Sequence, residues 1–183
     1  VYSKYVWRGM NSTNDWVLQP SATAGVMGIS LSVWANMDLT DVNREEGKFR
    51  EIDYTLSYGL GIPIIDLNAG FVFYVYPDQS QSNTSEFFLS GQVNILLAPR
   101  LAVYQDIDKF KGAYWEASVR HGFQAGEAVQ IDLTGGLGLG SAGFIRGYFA
   151  GQTSISDNDL GATMNDLFLR AEAPFHPLSF FTI

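Results

Sequence analysis

The chain has 183 residues and a formal charge of −8, no cysteine, and only 16% charged residues against 46% hydrophobic and 14% aromatic. Without cysteine there is no disulfide framework, thiolate metal site or cysteine nucleophile, and the acidic balance excludes the basic footprint of a nucleic-acid binder. The length fits a single domain over 1–183, and few charges beside many aromatics suit a chain whose outer surface does not chiefly face water.

The chain opens inside strand-like sequence at Val1, with no visible signal peptide, and stops in "PLSFFTI"; residues are therefore expected to be missing at both termini. The first stretch, "SKYVWRG", mixes charges with β-prone aromatics. Alternation there assigns Lys4, Val6 and Arg8 to one face and Tyr5 and Trp7 to the other. Beyond a polar loop at 11–19, period-two alternation runs almost without a break. Ile29, Leu31, Val33, Ala35 and Met37 oppose Ser30, Ser32, Trp34, Asn36 and Asp38. Ile52, Tyr54, Leu56, Tyr58 and Leu60 oppose Glu51, Asp53, Thr55, Ser57 and Gly59. The pattern recurs with Ile65, Leu67, Ala69, Phe71, Phe73 and Val75, then with Phe87, Leu89, Val93 and Ile95 against Glu86, Ser90, Gln92 and Asn94. Trp115, Ala117 and Val119 then oppose Glu116, Ser118 and Arg120. Val129, Ile131 and Leu133 oppose Gln130, Asp132 and Thr134, and Leu167, Leu169 and Ala171 oppose Asp166, Arg170 and Glu172.

Short turns at 27–28, 61–63, 97–99, 124–127 and 174–177 alternate with longer polar loops at 40–49, 77–84, 105–111 and 141–161, the last with room for a small helix. No run reaches the roughly 18 apolar residues of a spanning helix. The pattern predicts an all-β fold: an antiparallel up-and-down transmembrane β-barrel of about 12 strands, about 11 of them represented here, with short periplasmic turns and long extracellular loops.

Three features select an apolar exterior over an apolar core. The apolar phase carries His121 as its one side chain able to charge near neutral pH, as a lipid face requires. The opposite phase is rich in Ser, Thr, Asn, Gln and Gly but poor in the charge that keeps a soluble exterior dispersed. Many strands are long enough to cross a bilayer at a tilt. Trp7, Phe73, Phe87 and Trp115 fall in the outward phase beside long loops, and Tyr58 and Phe123 near short turns, as two interfacial aromatic belts would. Ordinary β-propensity of aromatic residues competes with that reading for each residue taken alone.

The stretch "VYSKYVWRGMNSTNDWVLQPSATAGVMGISLSVWANMDLTD" resembles the opening of a bacterial outer-membrane, porin-like β-barrel family. Its members begin with a Ser-x-Tyr-Val-(Trp/Phe)-Arg-Gly strand followed by a Pro-containing second strand. The likeness is clearest over residues 3–41 and extends weakly to "NDLFLRAEAPF". It implies the fold, a place in the bacterial outer membrane, and lipid and lipopolysaccharide as surroundings; it implies no substrate.

Lys4, Arg8, Glu51, Asp53, Glu86, Glu116, Arg120, Asp132, Arg170 and Glu172 are the expected pore-lining charges. They read equally as a constriction that selects solutes by sign and as ion pairs that fill a narrow lumen. Acid gathers towards the loop side, where a negative mouth would favour cationic solutes. "GLGSAG" at 138–143 has dinucleotide-loop spacing, but such a site needs a helix directly after it, where a strand running into a polar loop is expected. His121 and His176 lie towards the short turns, so no enzyme activity, metal or cofactor is expected. The expected function is a porin-like channel for small hydrophilic, in particular cationic, solutes. The alternative is a non-conducting barrel that binds envelope proteins through its loops or its lipid-facing surface.

Overall fold

The computed structural model describes residues 1–77, 82–124, 129–149 and 162–173. Twelve strands, one α-helix and a single turn of 3-10 helix at Asp41–Asn43 organise them. The main sheet contains β3 (Val17–Leu18), β4 (Ser21–Val26), β5 (Ile29–Asp38), β6 (Phe49–Ile62), β7 (Ile65–Val75), β8 (Thr84–Val93), β9 (Arg100–Asp106), β10 (Ala113–Gln124), β11 (Gln130–Gly140) and β12 (Thr163–Glu172). From β5 to β12 it is an antiparallel meander in chain order, and both β3 and β4 pair with the outer edge of β5. Alternation predicted this all-β antiparallel meander. The β4–β5 turn shows how local chemistry sets register: Met27 and Gly28 both have positive φ, at 51° and 84°, as a two-residue turn matched to strand twist demands. A side chain at 28 would also meet the Gly59 carbonyl of the next strand.

Two expectations about the outline are corrected. Among the described residues the sheet is not closed: its path ends at β12 on one side and at β3 and β4 on the other. The predicted first wall strand is no part of the wall. β1 (Tyr5–Trp7) and β2 (Met10–Thr13) form a separate two-stranded ribbon. That hairpin lies within the curl of the main sheet, because its side chains touch Trp34 on β5, Tyr74 on β7, Glu86 on β8 and Tyr104 on β9, and the Arg8 backbone carbonyl accepts the Asn165 amide on β12. The physical reason is side-chain packing: Tyr5, Trp7 and Arg8 find rings and a carboxylate inside the curl, which a place at the sheet edge would leave half exposed. Trp7 is thus no member of an interfacial belt; Tyr5 is buried against Trp34, and Val6, half exposed, lines the cavity beneath the hairpin.

The stretch after β11 forms helix α1 (Ala142–Phe149). A helix therefore opens within "GLGSAG", at Ala142, where a strand running into a polar loop was expected but the loop had room for a small helix. The glycines of that stretch serve close packing instead of phosphate. A side chain at 140 would meet Phe144 and Ile145 of α1, and one at 138 the Tyr114 hydroxyl. Phe144, Ile145 and Tyr148 of α1 join Tyr114 in the one buried hydrophobic cluster of the described residues, against which Trp7, Tyr104 and Phe110 pack.

Elsewhere the two faces of the sheet differ in kind. Register aligns Leu31, Leu56, Phe71 and Phe87 in a row across β5 to β8 on the outer face, and Leu56 is 53% exposed. The neighbouring inward row carries Glu86 at 1% and Asp106 at 1% exposure. Of the aromatic residues expected in belts, Tyr58, Phe73, Phe87, Trp115 and Phe123 all stand exposed on the outer face.

Candidate functional site

The inner face falls into three levels. At the loop end, Arg8 follows the last residue of β1 in a left-handed backbone conformation, φ 44°, which turns its side chain inward beside Trp7. Its guanidinium forks onto Glu86, Nη1 to Oε1 at 2.8 Å and Nη2 to Oε2 at 2.9 Å. The Tyr74 hydroxyl donates to Glu86 Oε2 at 2.8 Å. Rings enclose the cation: Trp7 at 4.4 Å, Tyr104 at 4.2 Å and Tyr114 at 4.8 Å from the guanidinium carbon. A buried charge persists only when paired and hydrogen-bonded, and stacking on ring faces adds electrostatic attraction.

Two further carboxylates at this level organise loops. Asp106 Oδ1 accepts the backbone N–H groups of Asp108, Phe110 and Lys111, and its Oδ2 accepts the Thr84 hydroxyl at 2.6 Å. Tyr148 also donates to it. Burial, with Glu86 and Asp106 nearby, raises the pKa of the Tyr148 hydroxyl well above its ordinary value, so it remains a donor. Asp38 accepts from Thr13, Asn36 and Asn43 and pairs with Arg50 at 3.5 Å. Glu51 is buried close to the hydroxyls of Tyr5 and Tyr76.

Below the hairpin lies a cavity of about 570 Å³. Asp53, Glu116, Asp166 and Arg170 contribute its polar wall, and Tyr104, Tyr114 and Phe168 much of its apolar wall. Glu116 is bound by Arg100 at 2.6 Å. Asp166 accepts from the Tyr114 hydroxyl at 3.0 Å and the Asn165 amide at 2.8 Å. Asp53 Oδ1 is buried without a hydrogen-bond partner.

At the short-turn end the face is wet. Arg120 pairs with Asp132 at 2.6 Å, Gln130 donates to the other carboxylate oxygen, and the Arg120 side chain is 52% exposed. Register sets Arg120, Thr134 and Arg170 in one row and Gly122, Asp132 and Glu172 in the next.

The expected lining charges are therefore spread over three settings. Arg8, Glu51 and Glu86 are held in the loop-end packing; Asp53, Glu116 and Arg170 border the cavity; Arg120, Asp132 and Glu172 belong to the short-turn end. Lys4 is exposed. His176 lies outside the described residues, as do 78–81 of loop 77–84, 125–127 of turn 124–127, 150–161 of loop 141–161 and the whole of turn 174–177. Sequence reasoning missed Tyr74, Tyr104, Tyr114, Phe144 and Tyr148 as site residues. The available signal was aromatic residues in the polar phase, Tyr74 opposite Phe73 and Tyr114 opposite Trp115.

No helix among the described residues is long and apolar enough to cross a membrane, and none of their His, Asp and Glu side chains group as a metal site. The chain matches no protein-family model, no curated protein and no solved structure.

Proposed function

We propose that this chain builds the wall of a bacterial outer-membrane β-barrel whose polar inside conducts small hydrophilic solutes. One observation carries the reading: the sheet is inside out for a protein in water. Leu31, Leu56, Leu89, Leu101 and Leu169 are exposed on its outer face, while Asp38, Glu86 and Asp106 are buried within its curl. Soluble monomers rarely expose apolar surface on that scale, and lipid-exposed barrel walls have this polarity. A bilayer tolerates no unpaired strand edge, so the reading also requires both sheet edges to be covered in the membrane.

The packing of the loop end favours a second reading, a non-conducting barrel that serves envelope partners through its loops or its outer surface, because the hairpin and α1 fill that end of the curl. One preparation separates the two. The full chain, extracted from membranes only by detergent and migrating differently on gels before and after heating, is expected to give ohmic current in planar bilayers. A sealed, folded barrel would leave the second reading. A chain that stays dispersed in water without detergent would overturn both.

A further inference from the structure

The cavity beneath the hairpin offers more than a passage. Its wall presents three carboxylates and two guanidinium groups. Arg8 is committed to Glu86, and Glu116 to Arg100. Asp166 receives two neutral donors, and Asp53 Oδ1 receives none. Among the described residues, neither Asp53 nor Asp166 makes an ion pair within 4.0 Å. Against these two stands Arg170, which lies 5.9 Å from the Phe168 ring centre. Glu51 and Glu86 add negative potential at Asp53, and Arg8 opposes it. The rings of Tyr104 and Tyr114, which border the same space, already hold one cation, the Arg8 guanidinium.

We propose that this cavity is a binding site for a small organic cation, its charged group taken by Asp53 and its carbon skeleton packed against the tyrosine and phenylalanine wall. Asp53 borders the cavity with one oxygen occluded and unpartnered, and a donor that reaches it as the side chain turns returns the free energy that the unpaired oxygen costs. Ring faces beside it favour a cation with apolar surface over a hydrated metal ion. The volume is that of a small-ligand site. The inference deepens the channel reading by naming the solute, and rests on it only for the step from binding to passage.

The test uses the full chain in detergent micelles at fixed ionic strength, with putrescine as probe and 1,4-butanediol as its uncharged counterpart, followed by calorimetry. Putrescine is expected to bind saturably and butanediol not at all. Asp53→Asn is expected to weaken putrescine at least tenfold, while Asp66→Asn, at the short-turn end, leaves it unchanged. Thr55→Phe, which fills the cavity and keeps the carboxylate, is expected to abolish binding, so the result does not hang on one variant. Equal binding of the two probes, no saturable binding, or equal weakening by Asp53→Asn and Asp66→Asn would overturn the site. Binding retained by a barrel that passes no current would remove the passage and keep the site. Current without binding would do the reverse.

Discussion

The Arg8–Glu86 pair and the Arg120–Asp132 pair are the same chemistry at opposite ends of one curled sheet. Both join a guanidinium to a carboxylate on the inner face, at 2.8 Å and 2.6 Å. The first is walled by three aromatic rings and a tyrosine hydroxyl. In the second, Asp132 is buried and accepts from Arg120 and Gln130, and the arginine is half in water. Both carboxylates stand on strands of one sheet, Glu86 on β8 and Asp132 on β11, so the difference is not in the wall. It comes from the hairpin and α1, which dry one end and leave the other wet. Distance and donor–acceptor type thus say little about what a pair contributes; the surroundings decide.

The largest expected effect follows at the dry end. Glu86→Ala leaves the Arg8 guanidinium buried with no counter-charge, which is expected to cost about 3–5 kcal/mol. Denaturant unfolding in detergent, followed by the mobility change on gels, measures it. The double variant Arg8→Ala/Glu86→Ala is expected to recover part of the loss, since it removes the stranded charge. A cost for Glu86→Ala no larger than that for an exposed pair would mean that water reaches the loop end, and the contrast between the ends would collapse.

A smaller effect is expected at the boundary between the two regimes. Gly70 on β7 lies opposite Phe88 on β8, and a side chain at 70 would approach both the Phe88 ring and the Leu56 carbonyl to 2.6 Å. The missing side chain lets the ring lie on the backbone and reach Tyr104, 5.9 Å between centres. Gly70→Ala is expected to destabilise by about 1–3 kcal/mol through overpacking, read from the same unfolding midpoints. Gly61→Ala, nearer the short turn with its closest neighbour at 3.3 Å, is expected to be much milder. Equal costs would show that the ring stack does not extend the dry region this far.

These contrasts also mark what was legible in sequence. Strict alternation announced the wall strands and their two faces, because a pleated strand reverses its side chains at every residue. It put Arg120 and Asp132 on one face, where they meet beside the same short turn. It misplaced the first strand for the same reason: alternation assigns faces only to a residue within a sheet, and Tyr5–Trp7 leaves the sheet. The left-handed turn at Arg8 and Gly9 then puts Trp7 and Arg8, neighbours in sequence, into the same packing. The partners of Glu86 are 78 residues away for Arg8 and 12 for Tyr74, and nothing local encodes the first. The helix after Gly140 was hidden by a composition of small residues, in which only the spacing of Phe144, Ile145 and Tyr148 marks a buried face.

The smallest effect belongs to the wet end. Arg120→Ala removes a contact of 2.6 Å, shorter than either bond at the dry end, yet is expected to leave the unfolding midpoint unchanged within error. Water takes the place of the guanidinium at Asp132, Gln130 continues to donate to it, and the freed side-chain entropy offsets what attraction is lost. The counterpart measurement is salt. Raising ionic strength screens exposed pairs far more than buried ones, so salt is expected to leave the cost of Glu86→Ala standing. A clear loss in Arg120→Ala at low salt that disappears at high salt would mean that the short-turn end excludes more water than its exposure implies. The two ends would then differ in degree instead of kind.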